Sequence, residues 1–317
     1  MREFAPQRSH DKHSTDFQFA PETILFATDF SRACQNAWLY AVGIRHEYDA
    51  KLLLAHVIDP AIFAAVPSEL VGTAREQVRQ EKEDQLKKLE PSEEGSQPPF
   101  ELLLREGEIS DVLLHVVQER DVELLVAGTR RRSGTERLLL GSVAEKLFRQ
   151  ASCPSLVVPE GASIGERFAI TRILCPIDFS PDSHIAVDCA KSIARRLGAQ
   201  LILTHVLREG LANGKSEREW AVHEAQHRLR KLLDADQDLP FKSLIEVTVG
   251  VAAEQISRTA MEYHPELVVV SVHPAAGTIA HERERNAYKI IRWSPCAVLT
   301  IPRSLHSGSH SSARAAQ

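Results

Sequence analysis

Apolar residues occur along this chain in two alternating patterns. Short, nearly continuous runs at Ile24–Asp29, Lys51–Ile58, Phe100–Leu104, Leu124–Val126 and Leu156–Pro159 read as strands buried on both faces. Between them apolar positions recur about every 3.6 residues, as in Ala33, Ala37, Tyr40 and Ile44, which predicts helices packed on a sheet. Val71–Leu89 and Ser110–Gln118 give two more helices, and Pro91–Pro99 reads as a loop. Gly128 is read as the end of the fourth strand. A basic loop follows, and Gly141-Ser142 opens an amphipathic helix carrying Val143, Leu147 and Phe148.

After Pro159 the whole pattern begins again. Asp178 matches Asp29 and His205-Val206 matches His56-Val57 at an offset of 149, whereas Gly250, Leu267 and Cys296 match Gly107, Leu124 and Cys153 at 143. The second copy is therefore six residues shorter, and the loss falls in its middle. Each copy carries five strand signals and enough apolar surface for its own core, so the repeat reads as a duplicated domain and not a solenoid. Alternating strands and helices predict an α/β fold: two tandem doubly wound domains, each a five-stranded parallel sheet with helices on both faces. The expected units are residues 21–160 and 168–303, joined by 161–167, with polar tails at 1–20 and 304–317 expected to be disordered.

Composition narrows the function classes. Apolar residues make up 43% and charged residues 26% of 317, as in soluble globular domains. A net charge of −5 offers no general attraction to nucleic acid or an anionic membrane. No apolar run approaches transmembrane length, and the first residues lack the apolar core of a signal peptide. Five cysteines without a C-x-x-C pair fit reduced, buried thiols and a cytoplasmic location.

The strand–Gly128–loop–Gly141-Ser142–helix sequence is suited to holding phosphate, since a helix N-terminus offers free N–H groups and the positive end of a dipole. An ordinary strand-to-helix turn would leave the same trace. Ser142 is read either as a helix cap or as a donor to phosphate oxygen. Asp29, beside the expected topological switch point, is read either as accepting hydrogen bonds from a ribose or base or as capping the next helix in competition with Ser31.

Taken in order, Thr28-Asp-Phe-Ser31, His56-Val-Ile-Asp59, the loop from Gly128 to Ser142, and Cys153-Pro-Ser-Leu-Val-Val-Pro159 resemble the universal stress protein family, in a tandem form covering about residues 21–303. The resemblance implies a Rossmann-like, adenine nucleotide alpha hydrolase-like fold, assembly through the last strand of each unit, and ATP or AMP at the C-terminal edge of the strands. Assembly is expected as an internal pseudo-dimer of the two halves, with a homodimer of the whole chain as a further level. Nucleotide contacts are expected at Asp29, the backbone of Val57, Gly128, Arg131, Gly141, Ser142 and Val143, with no metal beyond nucleotide-associated Mg. In the family pattern G-x2-G-x9-G-[ST], Arg131 replaces the middle glycine. Either the arginine deforms the cradle, or Gly134 supplies the flexibility and Arg130, Arg131 or Arg132 reaches phosphate directly.

In the second copy Ser271 stands at the Gly128 position and Glu284-Arg285 at Gly141-Ser142, so that half is expected to keep the fold without the nucleotide. His223-Glu-Ala-Gln-His227 matches H-E-x-x-H, but it falls on the repeat's charged surface helix and no third ligand follows, so no zinc is expected. No nucleophile motif, Walker A or full G-x-G-x-x-G occurs. The expectation is a stress-response module that binds an adenine nucleotide in its first half without dedicated catalysis, slow ATP hydrolysis being left open. The alternative is a nucleotide-free interaction protein.

Overall fold

Among the described residues the apolar runs become ten strands and the periodic segments eight helices, in strict alternation but for the β5–β6 junction. The computed structural model describes residues 17–89, 100–129, 141–162, 164, 168–210, 214–234, 243–272 and 278–302, with backbone alone for 278–285. Arg131, Gly134, the Pro91–Pro99 loop and most of both tails lie outside the described residues. The first half holds β1 (Thr23–Ala27), α1 (Arg32–Tyr48), β2 (Lys51–Ile58), α2 (Val71–Lys87), β3 (Phe100–Glu106), α3 (Ile109–Glu119), β4 (Leu124–Thr129), α4 (Ser142–Gln150) and β5 (Ser155–Pro159). The second holds β6 (Arg172–Pro176), α5 (Pro181–Leu197), β7 (Gln200–Leu207), α6 (Lys215–Asp234), β8 (Leu244–Val249), α7 (Ala252–Tyr263), β9 (Leu267–Val272), α8 (Thr278–Trp293) and β10 (Ala297–Pro302). A short 3-10 turn at Pro60–Phe63 was not visible in the apolar pattern.

All strands join one ten-stranded sheet in the order β3-β2-β1-β4-β5-β10-β9-β6-β7-β8. Pairing is parallel within each half, each strand reaching the next through a helical crossover. The halves meet where β5 runs antiparallel to β10, Val157 opposite Val298, Leu156 opposite Leu299 and Ser155 opposite Thr300. Thr300 Oγ1 adds a bond to the Ser155 carbonyl at 3.0 Å. Each strand would otherwise be an open edge presenting unpaired backbone groups.

Side chains alternate between the two faces. Ile24, Phe26, Leu52 and Leu54 pack under α1 and α2, and Ile173, Cys175, Leu201 and Leu203 under α5 and α6, in one core continuous across the seam. On the opposite face Leu25 and Leu53 meet α3 and α4, while Leu174 and Ile202 meet α7 and α8. Contacts between the halves reinforce the seam. Buried Tyr40 of α1 donates to the Glu266 carbonyl at 3.1 Å, Arg196 Nε of α5 donates to the Glu47 carbonyl at 2.9 Å, and the Phe19 N–H reaches Ser192 Oγ at 3.0 Å.

Gly43 of α1 makes the closest of these approaches. A Cβ built there would lie 2.0 Å from Cγ of Phe168 in the other half. Helix propensity alone favours alanine over glycine by about 1 kcal/mol. Because the clash involves the root of the Phe168 ring and not a flexible tip, Gly43→Ala is expected to destabilise the protein by about 1–3 kcal/mol. Urea unfolding checks the sign, and a gain in stability would count against this packing.

Candidate functional site

Sheet order reverses at β1, whose neighbours are β2 on one side and β4 on the other. The crossovers leaving the C-terminal ends of β1 and β4 go to opposite sides, and the crevice between them is where ligands enter open α/β sheets. One hydrogen-bonded turn forms its rim. The Thr28 N–H donates to the Ala55 carbonyl at 2.9 Å, extending the ladder one residue past β1. Phe30 takes a left-handed conformation, φ 60°, and its ring lies 4.6 Å from that of His56. His56 Nδ1 sits 2.8 Å from the Thr28 carbonyl; a carbonyl can only accept, so Nδ1 carries the proton.

The second half repeats this turn closely. Ile177 N–H donates to the Thr204 carbonyl at 2.8 Å, Phe179 has φ 59°, its ring lies 4.5 Å from His205, and His205 Nδ1 is 2.7 Å from the Ile177 carbonyl. The shared D-F-S and H-V residues therefore build a structural clasp whatever the ligand. A cation covers each aromatic, Lys82 at 5.5 Å from Phe30 and Arg228 at 3.7 Å from Phe179.

Asp29 is exposed and lies two residues beyond β1, not at its end. Its Oδ1 accepts from the Ser31 N–H at 2.8 Å and from Cys34 Sγ at 3.2 Å. It closes an Asx turn and does not cap α1; Ser31 occupies the N-cap without a side-chain bond. The Cys34 thiol is pushed up by burial, so it serves as a hydrogen-bond donor and not as a nucleophile. Val57 is buried and pairs with Arg105 of β3. It shares the parity of Ala55, whose carbonyl faces β1, so the backbone of Val57 faces the space beyond the end of β1, inside the crevice.

Gly128 does not end its strand. It lies within β4 opposite Val158, and a Cβ there would fall 2.6 Å from the Ala33 carbonyl oxygen. The glycine lets the first turn of α1 press against β4, and approach to an anion is not what requires it. Gly141 is the N-cap of α4 with an ordinary φ of −62°, and a Cβ there meets nothing within 4 Å among the described residues. Ser142 is consequently the first helical residue and not the cap, and Val143 packs half-buried against the core. The first bond of the helix runs from the Glu145 N–H to the Gly141 carbonyl, which leaves the N–H groups of Ser142, Val143 and Ala144 at the open end. Thr129, the last residue of β4, is 3% exposed, and its Oγ1 has no hydrogen-bond partner among the described residues. Nothing in the apolar pattern marked this residue.

The second half departs from the expected loop. Its connection from β9 to α8 spans 273–277, against 130–141 in the first half. Glu284 and Arg285 lie inside α8, where backbone N–H groups belong to intrahelical bonds. The helix end that could hold phosphate has been moved seven residues along the chain, from the equivalent of Ser142 at 285 to Thr278. On α6, His223 and His227 are exposed while Ala225 and Leu229 are buried. Among the described residues no group of three His, Cys, Asp or Glu is placed to hold a metal ion. No described helix is long and apolar enough to cross a membrane.

A doubled parallel sheet with a switch-point crevice in each half and a helix N-terminus beside the first defines a Rossmann-like protein of the adenine nucleotide alpha hydrolase-like type. The Universal stress protein family model matches the chain twice, over residues 21–159 and 169–302, and the chain belongs to that family as a tandem member. It is similar to a universal stress protein of Methanocaldococcus jannaschii, 32% identical over 139 residues that cover 43% of this chain and 80% of the relative. A universal stress protein of Bacillus subtilis is 30% identical over 145 residues, covering 43% of this chain and 97% of the relative. The crystal structure of a universal stress protein from Archaeoglobus fulgidus shares the fold at a TM-score of 0.66 and 16% identity, covering 89% of this chain and 98% of that one.

The clasp makes stability depend on pH. Burial holds His56 and His205 below the ordinary imidazole value of 6.5, so the unfolded chain takes up protons first. Their contribution is complete above about pH 6.5 and is lost as the pH falls toward the folded-state values. His56→Gln is expected to shrink the fall in unfolding free energy between about pH 7 and pH 5. Urea titrations at both pH values test this, and an unchanged or steeper pH dependence would contradict the assignment.

Proposed function

We propose that this chain is a cytoplasmic stress-response module that holds one adenine nucleotide, ATP or AMP, in the crevice of its N-terminal half, without dedicated catalysis. Two observations support the reading: the open N-terminus of α4, and the Thr129 hydroxyl at the end of β4, which has no hydrogen-bond partner among the described residues. An anion at a helix N-terminus gains from free N–H groups and the dipole. The residues present fit a nucleotide. Ser142, Val143 and Thr129 would hold phosphate, the Val57 backbone would meet the base, and Asp29 would accept from a ribose hydroxyl. Gly128 acts indirectly by seating α1, and Gly141 by leaving space. Arg131 either obstructs the loop or holds phosphate. The bound group would add charge and stability to the loop, and no bond-making step is assigned to it.

Titration calorimetry tests the reading directly. One ATP or AMP per chain is expected, and Gly141→Glu should abolish it. A carboxylate about 4 Å from phosphate costs about 4 kcal/mol at an effective dielectric near 20, or roughly a thousandfold in Kd. Asp29→Ala should cost about 1.5–3 kcal/mol, a hydrogen bond involving a charged group. Arg131→Gly tightens binding if the arginine obstructs and weakens it if it holds phosphate. Two sites per chain, or unchanged affinity in Gly141→Glu, would refute the assignment. Absence of binding, and of nucleotide releasable from purified protein, would leave the nucleotide-free interaction protein as the better account.

A further inference from the structure

The C-terminal crevice lacks a phosphate-facing helix end, yet it is not closed. A cavity of about 120 Å³ lies there, between the ends of β6, β7 and β9 and the helices α7 and α8. Two replacements account for the opening. In the first half β1 and β4 stay paired through Ala27 opposite Ala127. In the second the β6–β9 ladder has only two pairs, ending at Leu174 opposite Val268. Residue 27 corresponds to Pro176. The Ile177 N–H points to Thr204 of β7, so strand alternation turns position 176 toward β9. Proline has no N–H to give there, and the strands part. Residue 128 corresponds to Ser271, and the first half shows that a Cβ at this position would strike the Ala33 carbonyl of α1, the helix that follows β1, at 2.6 Å. Ser271 therefore needs clearance from the first turn of α5 that Gly128 does not need from α1.

The gap is lined by apolar groups, with polar ones added where the first half has none. Ile256 and Ile290 form walls, and Ala287 leaves space between them. Thr204 replaces Ala55, and Asn286 replaces Val143. Thr204 is 0% exposed and lines the cavity, and its Oγ1 has no hydrogen-bond partner among the described residues. An orphan buried hydroxyl costs about 1–3 kcal/mol and is retained where something else satisfies it. Asp178 stands at the rim as an acceptor.

We propose that the C-terminal crevice is a second ligand site, for an uncharged molecule of about one ring that carries a hydrogen-bonding edge and no phosphate. The volume sets the size, since an apolar protein cavity of about 150 Å³ accepts benzene. Thr204 fixes orientation from the floor and Asn286 from the mouth. Phosphate is excluded because α8 already occupies the stretch equivalent to the end of the first-half loop. The site does not depend on nucleotide binding in the first half. The β5–β10 seam is antiparallel, so the two crevices open at opposite edges of the sheet.

The test uses the full chain with phenol, indole and adenine as probes, read by saturation-transfer NMR and thermal shift. At least one probe is expected to bind with a stoichiometry of one. Ala287→Phe should abolish that binding by filling the cavity, and Thr204→Val should weaken it about tenfold. Thr204→Val alone should leave the Tm of the free protein unchanged or raise it, since it removes an unsatisfied group. Gly141→Glu should leave probe binding unaltered, and Ala287→Phe should leave ATP titrations unaltered, so the two sites succeed or fail separately. Binding of none of the probes, binding insensitive to Ala287→Phe, or a lower Tm in Thr204→Val would overturn the proposal. An ordered water on Thr204 Oγ1 with no probe binding would overturn it equally.

Discussion

The antiparallel pairing of β5 with β10 is the contact on which the remaining architecture rests. It turns two five-stranded sheets into one and places α1 beside α5 on a single face, where their side chains share a core. Close approach of Gly43 to Phe168 and the Tyr40 bond to Glu266 depend on that juxtaposition. The pairing also has a geometric consequence for function. Strands of the two halves run in opposite directions, so their C-terminal ends lie on opposite edges of the sheet, and no single ligand can bridge both crevices.

Within each crevice the residues common to both halves are those that build the rim. The left-handed Phe30 and Phe179, the histidines bonded to backbone carbonyls, and the Asx turns at Asp29 and Asp178 are nearly superimposable in their distances. A left-handed non-glycine residue costs about 1–2 kcal/mol, and the stack on a half-buried histidine offsets it. Residues that differ between the halves stand where a ligand would touch: Thr129 against Val272, Ala55 against Thr204, and Val143 against Asn286. Shared residues keep the crevice in shape, and the differing ones give each half its own chemistry.

Much of this was legible in the sequence because apolar runs and the repeat offset report directly on buried strands and duplicated topology. The parallel, doubly wound architecture of each half follows from them, whereas assembly through the last strands was an implication of the family resemblance and the order of the strands was not read. Side-chain duties did not follow. Gly128 was read as anion-facing because glycines in strand-to-helix connections share one signature, while its use, clearance for Ala33, depends on a helix nearly a hundred residues away in sequence. Ser142 was read as a cap because serine favours that place, but Gly141 satisfies the same backbone geometry one residue earlier. The early start of α8 escaped notice because constant-offset alignment assumes equal loops. Thr129 and Thr204 carried no signal at all, since a missing hydrogen bond exists only in three dimensions.

The two halves illustrate how one backbone resource is spent in exclusive ways. The first few N–H groups of a helix have no partner inside it, and their position decides what they can serve. In the first half a twelve-residue connection, 130–141, ends at the crevice and leaves the α4 amides there. In the second a five-residue connection, 273–277, draws the helix start back along the chain. Residues matching the first loop then become helical turns, whose amides bond internally and have nothing left for an anion. Starting the helix earlier thus withdraws its free amides without touching the sheet, the clasp or the seam. The same edge then accommodates Pro176 and Ser271 and opens into a mostly apolar cleft. Duplication made the change tolerable, because the seam is built from the last strand of each half and from helix contacts away from the crevices.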